Sequence, residues 1–389
     1  MLPVTTARKP RVTCPGFLIR SAAMVVLLAA GLAASACSSS AKTPALPTPE
    51  ARAAAAPMQA DAWTKLGYRI DWRGFATMLP GSKVLFMDQL GDVVAVQESS
   101  GVLSVLEVKT GATRWSDQVA SSLSRYIGNV RDGDRLVSST DSEAFFYDLQ
   151  TGTLKARQKL SIVSNRRPVK VGEILVYGAG SGQVLGHLTL NGFRQWGAMM
   201  DGPIESDPLA LSNGRVALVS RGGDVVVLDG SSGLIDVKGK IYLGTEAALA
   251  TGPEVLYIAS LDHSLYAISE RSGDILWRVR TDAPLREAPV LHEGVVYSDM
   301  GTDGITAFNA TTGKKLWSNA AAKGEIIGVR NKRLLGFDGS NAYTLDAGKG
   351  TTVESVKLEG VSILKTDQFV DGNLYAASPG GVVTKLATR

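Results

Sequence analysis

Three histidines, a scatter of aspartates and two cysteines are the residues of this 389-residue chain whose chemistry could exceed a structural role. His187, His263 and His292 are 76 and 29 residues apart, far from the close pairing that zinc ligation uses. Asp141, Asp224, Asp262 and Asp303 each fall in a short polar segment between apolar runs. There an aspartate is an ordinary turn residue, its carboxylate accepting bonds from nearby backbone amides. The stretch DMGTDG (299–304) mixes acid and glycine but lacks the length and spacing of a calcium loop. GxSxG, P-loop, HExxH and dinucleotide fingerprints are all missing from the sequence. The expectation is a protein that is not an enzyme and has no catalytic residue, metal or cofactor.

The elements that must carry these residues are set by a repeat. LYAISERSGDILW (265–277) and ITAFNATTGKKLW (305–317) both read as an alternating apolar strand, a polar loop ending in glycine, and a short strand ending in tryptophan. VLEVKTGATRW (105–115) is a weaker copy. Aligned on the loop glycine, the series is Gly111, Gly152, Gly192, Gly233, Gly273, Gly313 and Gly350, in steps of 41, 40, 41, 40, 40 and 37. A period near 40 residues marks an array of identical supersecondary units. Each glycine can take the positive φ that closes a short hairpin, and each tryptophan reads as a wedge between neighbouring sheets rather than a stacking platform for a ligand. Ala156, and Asp236 or Val237, stand where tryptophan is expected, so those two units should pack more loosely.

A second series of turns, near Ser100, Ser142, Ser181, Gly223, His263, Asp303, Ser340 and Gly380, counts eight units against seven. The chain stops after the inner strand that follows Gly380, while YRIDWRGF (68–75) offers an outer strand without a partner, with Trp72 lying 43 residues before Trp115. Pairing the two chain ends completes the eighth sheet and leaves no free edge between first and last units. The predicted fold is all-β: an eight-bladed β-propeller of four-stranded antiparallel blades over residues 66–389, with the last blade closed by the N- and C-terminal strands.

The first 65 residues differ in kind. Arg8, Lys9, Arg11 and Arg20 precede an apolar run, 21–36, that is too short for a spanning helix. The run ends Ala-Ser-Ala-Cys, so residues 1–36 read as a lipoprotein signal peptide and Cys37 as the acylated N-terminus, departing from the usual pattern only in having Ala34 where leucine is commoner. Cys14, the other cysteine, lies in the discarded segment, so Cys37 has no disulfide partner. Residues 37–65 read as a lipidated, flexible tether, its Ala-, Pro- and Ser-rich portion reaching about 25 Å as a coil. Loss of 1–36 takes the formal charge from +4 to zero, and the remainder has no dense basic run with interleaved aromatics. Nucleic acid is therefore not an expected partner.

The strand, Thr/Ser-Gly, Trp pattern resembles the PQQ-type propeller repeat, a family spanning quinoprotein dehydrogenases and lipoprotein assembly factors of the outer membrane. The lipoprotein box and the single eight-bladed domain are similar to the assembly factors. That resemblance implies a non-enzymatic scaffold at the periplasmic face of the outer membrane, binding envelope proteins such as the periplasmic domains of the β-barrel insertase. Ser38, in place of an inner-membrane-retaining aspartate, agrees with the outer membrane. The dehydrogenase branch would need calcium-binding acids and planar walls around a quinone, often including a vicinal cysteine pair that this chain lacks. The alternative is a lipid-anchored propeller that binds another envelope protein or a small ligand, as an adaptor or sensor.

A scaffold would use loops at one rim. GAMMDGPIESDP (197–208) offers Met199 and Met200, and RTDAPLREAP (280–289) offers Leu285 and Arg286, as partner-binding residues. The reading favoured for both segments is that the apolar members tuck under the next blade and leave the charges in solvent. The assembly factors turn a Leu- and Arg-containing inter-blade loop toward their partner, and Leu285–Arg286 is similar in character. Blade order instead points to the loop after Trp196, which has no Leu-Arg pair.

Overall fold

A computed structural model describes residues 48–389; the signal-peptide residues, Cys37 and the start of the tether lie outside them. Eight four-stranded antiparallel sheets follow one another around an axis. Blade 1 comprises Val84–Leu90, Val93–Glu98, Val102–Glu107 and Thr113–Gln118. Blades 2 to 7 span 126–159, 169–199, 209–240, 250–280, 290–319 and 325–357. Blade 8 takes Ile363–Thr366, Leu374–Ala377 and Val382–Thr388 from the C-terminus and Tyr68–Phe75 from the N-terminus. Tyr68 pairs with Thr388 and Phe75 with Val382, with a register shift between Ile70 and Trp72. The ring is thus closed as the turn count predicts. Within each blade the first strand lies innermost, and at most joints the first strands of neighbouring blades touch one another.

The repeat's two signature residues meet across blades. Every loop glycine of the series has positive φ, between 67° and 78°. In five joints it lies against the tryptophan of the preceding blade: Gly111 on Trp72, Gly152 on Trp115, Gly233 on Trp196, Gly313 on Trp277 and Gly350 on Trp317. A Cβ at Gly350 would fall 2.2 Å from the Trp317 ring, so no other residue fits. Each of these indoles also donates its Nε1–H to a carbonyl of the next blade, as Trp72 does to Val108 at 2.8 Å and Trp317 to Ala347 at 2.9 Å. Burial and the satisfied donor together explain why tryptophan recurs at the joint.

The two joints without tryptophan are not loose. After blade 2, Gln158 packs on Gly192 and donates to Thr189 O at 3.0 Å, taking over the indole's bond to the next blade, while its Oε1 accepts from His187 Nε2 at 2.8 Å. After blade 4, Gly239 and Gly273 let the two backbones approach directly; a Cβ on Gly239 would sit 2.5 Å from the Gly273 carbonyl oxygen.

The eighth joint has no hairpin turn, because the third and fourth strands of blade 8 are opposite chain ends. Two short helices stand there, α1 (Pro49–Ala55) and α2 (Ala60–Lys65), where a flexible tether is expected. Thr48 caps α1 through its hydroxyl, followed by proline in the first turn. α2 packs on Thr352–Lys357, and Trp63 enters the core shared with Tyr68, Val356, Leu364 and Leu386. The tether therefore ends earlier than its composition implies: a buried indole fixes a helix too short to persist alone.

Candidate functional site

One rim of the ring carries the connections that lead into each first strand, together with the hairpins between second and third strands. Lead-in residues Glu205, Glu246 and Arg286 occupy the same place on successive blades 4, 5 and 6. Arg221, from the hairpin of blade 4, bonds Glu205 at 2.5 Å and lies 3.4 Å from Glu246, whose other oxygen meets Arg286. The Glu205 bond, first of all, holds the Arg221 guanidinium above its ordinary pKa. The two candidate segments are thus joined through Glu246 on one face. Exposed ion pairs add little to stability; a row of them fixes the positions of the loops.

Of the four candidate residues, two are presented and two are not. Met199 is 62% exposed at the end of its strand. Met200 is 4% exposed, packed with Trp196 and Ile204, and its amide bonds Gly182 O at 2.9 Å. Leu285 is 2% exposed in the core with Tyr257, Ala259 and Leu265, its amide on Ser260 O at 3.1 Å. Arg286 reaches solvent beside Glu246. The reading of Met200 and Leu285 as partner-binding residues is corrected accordingly: both sit at the pivot of a lead-in loop, where the backbone crosses to the next blade and the side chain points inward. Only Arg286 and Met199 are available to a partner.

The largest exposed aromatic on this rim is Tyr242, 76% exposed, followed by the part-exposed Leu243. Both lie between the fourth strand of blade 4 and the lead-in of blade 5. The Arg278 guanidinium sits 5.3 Å from the centroid of the Tyr242 ring, and is itself held by Asp262 at 2.9 Å and Ser264 at 2.9 Å. Beside them Lys240 bridges Asp201 at 3.0 Å and Asp224 at 2.9 Å. Burial would raise the Asp224 carboxyl, but the Asp201 amide and Lys240 outweigh it and hold the group below its usual range. Sequence reasoning passed over Tyr242. The signal was there, because the equivalent places in the neighbouring repeats hold Asp201-Gly202 and Asp282-Ala283, whereas this one holds Tyr-Leu.

The histidines remain apart. His187 is buried in blade 3 against Gln158, His263 takes φ 64° in a hairpin, and His292 lies against Phe369. Among the described residues no three His, Cys, Asp or Glu side chains are grouped to hold a metal. No helix among them is long and apolar enough to cross a membrane.

The sequence matches the family described as outer membrane protein assembly factor BamB over residues 90–239 and 235–365. No curated protein matches it. The crystal structure of BamB from Moraxella catarrhalis superposes with a TM-score of 0.65 at 20% identity, covering 82% of this chain and 98% of that one. The computationally designed Ika8 protein superposes with a TM-score of 0.66 at 15% identity, over 82% of this chain and 99% of its own. Identities this low carry the fold alone, as the designed protein illustrates. The family match spans most of the propeller, with its glycine turns and inter-blade tryptophans, and the chain belongs to the BamB family of PQQ-like repeat proteins.

Proposed function

We propose that this protein is a non-enzymatic scaffold of the bacterial envelope, anchored by lipid on Cys37 at the periplasmic face of the outer membrane, that assists the assembly of outer-membrane β-barrel proteins. Family membership supports the process, and Ala34-Ser35-Ala36-Cys37 supports the anchor. The observation that carries the reading is the rim of blades 3 to 6, where exposed Tyr242, Leu243 and Met199 stand beside the row Glu205–Arg221–Glu246–Arg286. A rigid aromatic and an arginine, surrounded by fixed charge, are the residue types that anchor protein interfaces. The partner in this reading is a periplasmic domain of the β-barrel insertase.

Crosslinking in cells, followed by detergent solubilisation and recovery of the full-length protein, tests it. The wild type should bring down the insertase. Tyr242→Ala combined with Arg286→Glu should reduce its recovery about tenfold or more, as expected when interface anchors are lost. Reproducible recovery of a different envelope protein, with no insertase, would refute the reading in favour of an adaptor of another system.

A further inference from the structure

The eight first strands enclose the axial channel, and its charge is unevenly distributed. Blades 8, 1, 2 and 3, with the lead-in of blade 4, surround a cavity of about 340 Å³. Arg125, Arg166, Arg167 and Lys365 face it, against only Asp88 and Asp207. Both carboxylates are already engaged. Asp88, buried on the first strand of blade 1, accepts from Arg167 Nη1 at 2.9 Å and lies 3.7 Å from Lys365 Nζ. Asp207 lies 3.5 Å from Arg167 Nε. Gly128 makes room for this arrangement, since a Cβ there would fall 2.5 Å from Arg167 Cγ.

Arg125 and Arg166 form no direct ion pair, although Arg166 is near enough to Asp207 to favour its charged form. Among the described residues neither has a carboxylate within 4.0 Å, and Arg166 Nε is buried without a hydrogen-bond partner, as is Oδ1 of the adjacent Asn165. A buried donor without an acceptor is costly to leave unmade, the more so on a charged group. On blades 6 and 7 burial, then repulsion from Glu287, raises the Glu325 carboxyl while Lys365 lowers it, and Glu287 is itself raised by burial and by Asp299. Within the cavity four cationic side chains face two carboxylates, an imbalance that draws an anion in.

We propose that this cavity binds a small oxyanion-bearing molecule, a carboxylate or a phosphate, whose charged oxygens are held by Arg166 and Arg125 while Asp88 keeps Arg167 and Lys365 in place as supporting charges. Its polar lining suits such a ligand rather than an apolar one. Arginine's planar fork matches both oxyanions, so the shared chemistry defines the site and the two sources must be told apart by binding. The cavity lies on the same rim as the docking row, but it uses Arg125, Arg166, Arg167 and Lys365 and not Arg221, Tyr242 or Arg286, so the loss of either reading leaves the other intact.

Calorimetric titration of the full-length protein in detergent at low ionic strength, where charge interactions are least screened, tests the proposal with inorganic phosphate, succinate and the uncharged diamide of succinate. Saturable one-to-one binding of phosphate or succinate is expected, and none of the diamide. Tighter phosphate identifies a phosphate-bearing ligand, tighter succinate a carboxylate. Arg166→Ala and Arg125→Ala should each weaken binding roughly tenfold or more, the loss expected for a charge-assisted hydrogen bond. A melting temperature raised by the anion in the wild type, and unmoved by the diamide, checks the result without any variant. Absence of saturable binding of both anions at millimolar concentration, equal binding of the diamide, or unchanged affinity in folded forms of both variants would each overturn it.

Discussion

Trp63→Ala is expected to destabilise the folded protein by about 3–5 kcal/mol, the usual cost of emptying a large aromatic site in a core. Trp63 is 2% exposed, and its Nε1–H donates to Met58 O at 3.0 Å, so both its bulk and its one polar atom are accounted for. The site also matters because of its location. Seven blades are continuous in sequence, but blade 8 is held by pairing between opposite chain ends. α2 seals the joint between blades 7 and 8, and the Gln59 side chain pins it by a reciprocal pair of 2.8 Å bonds with the Glu359 backbone. Urea unfolding should show the loss, and amide exchange in Leu374–Ala377 and Val382–Thr388 should accelerate before that of other blades. Trp63→Phe should recover part of the stability. A cost below about 1 kcal/mol, within the range of surface substitutions, would mean that the helix is not part of the closure.

Acid should destabilise the protein through His187, by about 2–3 kcal/mol between pH 7 and pH 4, at roughly 1.4 kcal/mol per pKa unit. Burial pushes this imidazole down to about 4 from 6.5. Between those values the unfolded chain binds the proton and the folded one does not, so stability falls as pH drops through the window. The ring is 1% exposed, edge-on to Tyr177 with centroids 6.1 Å apart, and its Nε2–H donates to Gln158. Protonation would place a charge inside the joint between blades 2 and 3. Glu287 and Glu325 act in the opposite sense: their raised carboxyl pKa values mean that protonation favours the folded state as pH falls. The difference between wild type and His187→Gln therefore isolates the histidine. Urea midpoints measured from pH 7 to pH 4 should fall more steeply for the wild type; parallel curves would refute the assignment.

The ring was legible because its two diagnostic residues recur and each has one job: glycine at Gly111, Gly152 and onward turns the hairpin, and tryptophan fills the space that glycine leaves in the next blade. Counting both turn series exposed the split blade as well. The substitutes were not legible. Gln158 replaces an indole from a position two residues beyond Ala156, a relation that exists only once blades 2 and 3 face each other. α1 and α2 are too short to establish a periodicity, and composition alone does not tell PEARAAA or ADAWTK from a linker when their stability comes from where Trp63 goes. At the rim, residue type identified Met199 and Arg286 together with Met200 and Leu285, but exposure alternates along a lead-in loop and separates them. Tyr242 required comparison of equivalent places between blades, and the channel's unpaired Arg166 required the ring itself.

The most direct test of a rim-docking scaffold is to place a photo-crosslinking residue at Tyr242 and, separately, at Lys109 in the third-to-fourth-strand turn of blade 1, which lies on the opposite rim. Irradiation of intact cells should join position 242 to a periplasmic domain of the β-barrel insertase and leave position 109 without that product. Crosslinks to the insertase from position 109 and none from 242, or from neither site, would contradict the account.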